Sequence, residues 1–146
     1  MKFMLLMFGS LLLATSAYSQ GTILPSSKMV SAYSKGEIAH LTDAEIDYLN
    51  FYAEQGFTVH PEGKVTSDMP LLSSVLLNAD QPINGSTLTT QNFNPLLYSF
   101  QPSAESLFFK VDGTQKVVQV FAKDRTDKLY ERFKINRAKL ERNNKK

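Results

Sequence analysis

Two short alternating runs, separated by one Asp-Gly pair, constrain this chain more than any other feature in it. Leu107, Phe109 and Val111 alternate with Ser106, Phe108 and Lys110. Val118, Val120 and Ala122 alternate with Val117, Gln119, Phe121 and Lys123. β-Branched and aromatic residues at period two give a strand one buried face. Asp112 and Gly113 supply the turn, because glycine enters positive φ without a side-chain clash. A two-residue turn would set Phe109 opposite Lys116. A four-residue turn over Asp112 to Gln115 sets Phe109 opposite Val118 and Leu107 opposite Val120. The second register keeps one face apolar throughout, and it is the one expected. Phe108, Val117 and Phe121 then share the other face, which calls for a cover of its own, a helix or a partner.

Beyond Lys123 the period lengthens. Leu129, Phe133 and Leu140, with Tyr130 beside them, fall on one stripe of an amphipathic helix, expected to lie back on the hairpin. Asp124 or Thr126 is the expected cap. Asp127 and Glu131 come early and Lys139 and Arg142 late, as the helix dipole favours. Asn143 onward has no apolar anchor and is expected to fray.

A second helix is predicted over Asp43 to Gln55. Thr42-Asp43-Ala44-Glu45 has the form of a capping box, Leu41 and Ile46 that of a hydrophobic staple, and Gly56 that of a helix stop. Phe57 to Val59 follows as a short strand. Lys64 to Thr66 is its expected hairpin partner across Pro61, Glu62 and Gly63. Pro70 to Ala79 fits a helical stripe or a buried strand, and periodicity does not separate them. Leu96 to Phe100 reads as a strand. Gln20 to Lys35 is Ser-rich without a period and reads as a mobile leader, with a short strand near Ile23 or Met29 as the alternative. The expected fold class is α+β: a small antiparallel β-sheet packed with an N-terminal-half helix and a C-terminal amphipathic basic helix.

Met1 to Ser19 has the three parts of a secretory signal peptide. Lys2 opens it, Phe3 to Ala14 is apolar, and Ala17-Tyr18-Ser19 places small residues before a cut at Gln20. The apolar run is short for a bilayer span. The expected organisation is therefore signal peptide 1–19, flexible leader 20–40, a single α+β domain 41–142 and a disordered tail 143–146. The expected location is periplasmic or extracellular. The chain has no cysteine, which excludes disulfides, thiolate chemistry and a lipoprotein anchor. Export without disulfides suits a bacterial envelope.

Charge divides the chain. Gln20 to Ala122 carries five Lys/Arg against ten Asp/Glu, net −5. Lys123 to Lys146 carries ten against four, net +6. The basic helix is a solvated face, a footprint for anionic glycan or lipid through Lys134, Arg137, Lys139 and Arg142, or a partner for the acidic remainder of its own domain. Nucleic acid is not expected of an exported protein.

Catalytic patterns are sparse. His40 and His60, with Asp43, Glu45 or Glu62, show no metal-ligand spacing. No Gly-x-Ser-x-Gly elbow or glycine-rich phosphate loop occurs. Glu54 and Glu62 are the nearest thing to a glycosidase pair. No cofactor or metal is expected. Tyr98, Phe108 and Phe121 are candidates for a protein-interaction face. The expected role is a non-catalytic envelope component that binds another envelope protein. The alternatives are a small hydrolase or metal-dependent enzyme, and a module for anionic glycan or lipid.

Overall fold

The computed structural model describes residues 22–77 and 84–145. The signal-peptide reading and part of the Gln81 to Gly85 loop lie outside them. Helices α1 (Ser27–Ala32), α2 (Lys35–Ala39) and α3 (Asp43–Gln55) come first, followed by strand β1 (Phe57–His60). Three 3-10 turns follow, at Leu72–Val75, Gly85–Thr87 and Pro95–Leu97. Strands β2 (Leu107–Lys110) and β3 (Val117–Val120) form the hairpin, and helix α4 (Lys123–Asn143) closes the chain. The fold is α+β, with one antiparallel sheet ordered β1-β3-β2.

The hairpin has the expected register, Phe109 opposite Val118 and Leu107 opposite Val120. Val111 N–H donates to Lys116 C=O at 3.0 Å and closes a four-residue turn in which Gly113 takes φ +68°. One face of the sheet carries Phe57, Val59, Phe109, Val118 and Val120. Leu72, Phe93 and Tyr98 pack on that face to form the first core cluster.

Helix α3 spans the expected residues. Thr42 Oγ1 accepts from Glu45 N–H, and the Glu45 carboxylate accepts from Thr42 N–H at 2.7 Å. Gly56 ends the helix with φ −78°, so positive φ is not what requires glycine there. A Cβ would lie 2.3 Å from the Tyr52 ring, and that close approach is the reason.

Several expectations are corrected. The leader is folded from Thr22 onward. Ser26 caps α1, and Ser34 with Glu37 forms a second capping box at α2. Met29 is fully buried with Ile46, Ala53 and Leu96 in a second core cluster. Asn50 accepts from Ser26 N–H and donates to Leu24 C=O, which pins the entry of α1 to α3. The partner of β1 is β3, with His60 opposite Val117, and Lys64 to Thr66 forms no strand. Pro70 to Leu77 is neither helix nor strand. Its 3-10 turn buries Leu72, and single bridges join Leu71 to Lys110 and Leu76 to Tyr98. Leu96 to Phe100 likewise contains a 3-10 turn, started by Asn94, whose Oδ1 accepts from Leu96 N–H.

Helix α4 packs against α3. Its first turn has no side-chain cap. Lys123 N–H donates to Ser103 C=O at 2.9 Å, and Ala122 N–H donates to Ser106 Oγ. Thr126 is not a cap but a buried residue inside the helix, donating back to Ala122 C=O. No described helix is long and apolar enough to cross a membrane.

Candidate interaction surface

The α3–α4 junction is built around one acid. Asp47 lies on α3 beside Phe51 and is buried. Arg137 reaches it from α4 with both guanidinium nitrogens, Nη1 to Oδ1 at 2.6 Å and Nη2 to Oδ2 at 2.8 Å. Tyr130 OH donates to Oδ2 at 2.9 Å. The Arg137 hydrogen bonds hold the Asp47 carboxyl below its ordinary range, against the opposing effect of burial. Burial, then the bond to Asp47, pushes the Tyr130 phenol up. Next to it Tyr48 OH donates to Asp127 Oδ1, and burial followed by the Asp127 charge pushes Tyr48 up to about 12.

Aromatic rings frame this polar centre. Tyr48 meets Tyr130 edge-on at 5.1 Å, and Phe51 touches Tyr130 and Phe133 at 5.2 and 5.3 Å. Beside them runs an open groove of about 640 Å³, lined by Asn50, Phe51 and Glu54 of α3 and by Leu129, Arg132, Phe133 and Asn136 of α4. Phe133 is 39% exposed, Ile135 54% and Leu140 63%. The exposed lining of the groove is mostly apolar.

The residues expected to meet an anionic partner separate into two kinds. Arg137 is engaged by Asp47. Lys134 pairs with Glu131 at 2.7 Å and lies 4.8 Å from the Tyr130 ring centre. Lys139 and Arg142 are exposed, and among the described residues neither has an ion-pair partner. The expected aromatic face divides too. Tyr98 is only 8% exposed, between Phe93 and Phe100 in the first core cluster, and so does not present its ring. Phe108 is exposed on β2. Phe121, half-buried, lies under the Arg125 guanidinium at 3.9 Å. The register puts Phe108 opposite Gln119, so Phe108 and Phe121 are diagonal neighbours on the sheet face away from that cluster.

His60 Nε2 shares a hydrogen bond with Gln119 Oε1 at 2.9 Å, and His40 is the exposed end of α2. Glu54 pairs with Lys28 at 3.1 Å. Among the described residues no three His, Cys, Asp or Glu side chains converge as a metal site. Asp47 was not among the residues singled out from the sequence. Its signal was an acid one helical turn before Phe51 in a chain with a basic terminal helix, the internal docking that the charge division raised. Comparison with protein-family models, with curated proteins and with solved structures finds no match.

Proposed function

We propose that this chain is an exported, non-catalytic component of a bacterial envelope that works by binding another protein of that compartment. The observation that carries the reading is the open side of α4. Leu140 is largely exposed and Phe133 partly so, at a groove lined by Phe51, Leu129 and Phe133 itself. Exposed apolar residues gathered next to a groove are the ordinary mark of a binding surface. The leader with its small residues at Ala17 and Ser19 supports export.

The anionic-surface alternative keeps Lys139 and Arg142 but loses much of Arg137, whose guanidinium is held by Asp47. Fractionation and formaldehyde cross-linking of intact cells test the proposal. The expected result is a processed chain starting at Gln20 in the envelope fraction, with a discrete adduct to an envelope protein. Recovery of the unprocessed chain from the cytosol, or of monomer alone after cross-linking, overturns it.

A further inference from the structure

We propose that the open edge of α4 beside its groove with α3 docks one helix of another protein, amphipathic and acidic along one flank. The inference rests on the binding role proposed above and supplies the chemistry of the partner. Leu129, Phe133, Asn136 and Leu140 are spaced four, three and four residues apart. That is the 3.5-residue period of a helix–helix seam, and it runs about 16 Å along the helix. The two flanks of the seam differ. Tyr130 and Arg137 follow Leu129 and Asn136 by one residue, and both are used by Asp47 of α3. Arg132 and Lys139 precede Phe133 and Leu140 by one residue. Both are exposed, and neither has an ion-pair partner among the described residues.

The groove's own acids are already neutralised, Asp47 by Arg137 and Glu54 by Lys28. On the flank of Arg132 and Lys139 the free charge is therefore positive, while Glu141 lies on the flank of Arg137. A second copy of this chain fits poorly, because Arg132 and Lys139 would meet their own counterparts in an antiparallel pairing and the Arg137 flank in a parallel one. A helix with Asp or Glu beside its apolar stripe meets these cations with opposite charge. Asn136 sits within the seam, where a single polar residue selects register at some cost in affinity. A lipid or polysaccharide surface has no use for such a selection.

The test uses the processed full chain and two synthetic helical peptides of about four heptads. Both carry a leucine seam with one asparagine. One has glutamate flanks and the other lysine flanks. Binding is read by fluorescence anisotropy, with circular dichroism confirming that each variant folds. The glutamate peptide is expected to bind, and the lysine peptide not. Leu140→Gln and the pair Arg132→Glu with Lys139→Glu are each expected to weaken binding tenfold or more. Reversing a cation off the seam, Arg142→Glu, is expected to change it less than twofold.

Equal binding of the two peptides overturns the proposal, as does indifference to Leu140→Gln. So does self-association in sedimentation that Leu140→Gln abolishes. Capture by phosphatidylglycerol vesicles with the same loss on reversing Arg142 would assign the cations to lipid instead. Failure of the glutamate peptide while the envelope adduct persists sinks this inference and leaves the wider binding role standing. Cytosolic, unprocessed chain sinks the wider role even where the peptide binds.

Discussion

Helix α3 is held on two sides by different means. On one side Ile46 and Ala53 close against Met29 and Leu96, all nearly or wholly removed from solvent. On the other, Asp47, Tyr48 and Phe51 meet Tyr130, Phe133 and Arg137 of α4 through hydrogen bonds and ring contacts, and the junction stays open along the groove. Apolar closure depends on area and shape, and little on pH or salt. The polar-aromatic side depends on one carboxylate being ionised and paired. The contrast makes α1 part of the core that α3 needs, and α4 an element docked by a few named groups.

The closed side is the more costly to break. Met29→Ala is expected to lose about 2–5 kcal/mol of unfolding free energy, the range for a buried methionine truncated to alanine. Urea denaturation followed by circular dichroism measures it. A loss below about 0.5 kcal/mol would return residues 22–39 to the mobile leader that the sequence suggests.

Arg137→Ala comes next, at about 1.5–3 kcal/mol, because it removes two bonds to a charged group and leaves Asp47 buried without its counterion. The double variant Asp47→Ala with Arg137→Ala is expected to cost less than the sum of the singles, with a coupling of about 0.5–3 kcal/mol. Additive losses would mean that the two side chains stabilise α3 and α4 separately.

What could be read in advance follows the range of the forces. The cap at Thr42 and Glu45 acts over three residues, so α3 was legible to its ends. The hairpin register was legible because only one turn length matches the apolar faces. Helices α1 and α2, at six and five residues, are too short to show a period. Ser34 and Glu37 nevertheless repeat the signature that marked Thr42 and Glu45. The pairing of β1 with β3 was hidden by a nearer candidate, Lys64 to Thr66. Asp47 and Arg137 lie 90 residues apart, and only the division of charge along the chain hinted at their meeting. Tyr98, Phe108 and Phe121 look alike in the sequence. Burial separates them, and burial is set by the 3-10 turns that no period announces.

The two sides of α3 also separate under pH. Asp47 has a lowered pKa in the folded chain, so its contribution is present above the ordinary value of 3.8 and is lost as pH falls through the folded value. Tyr48 is shifted the other way. Its contribution is present below 10.0 and is lost as pH rises through about 12. Hydrogen exchange between pH 2 and 6 is expected to show α4 losing protection below 3.8 while α3 keeps its own. Asp47→Asn is expected to remove that acid step. Tyrosinate absorbance reads the alkaline limb. Simultaneous loss of α3 and α4 in acid would show that the open side is no more separable than the closed one.

The smallest effect is expected at the far end of α4. Leu140 is 63% exposed, so replacing it removes little buried area. Leucine and glutamine also have similar helix propensities. Leu140→Gln should therefore change unfolding free energy by less than about 0.5 kcal/mol. Phe133→Ala is the useful contrast, since that ring touches Phe51 at 5.3 Å and lies 5.1 Å from the Arg137 guanidinium. A variant that removes Phe133 disturbs docking and seam together, whereas one that removes Leu140 disturbs the seam alone. If Leu140→Gln costs more than about 1 kcal/mol, the leucine is packed in solution against part of this same chain, and the open side of α4 has an internal occupant.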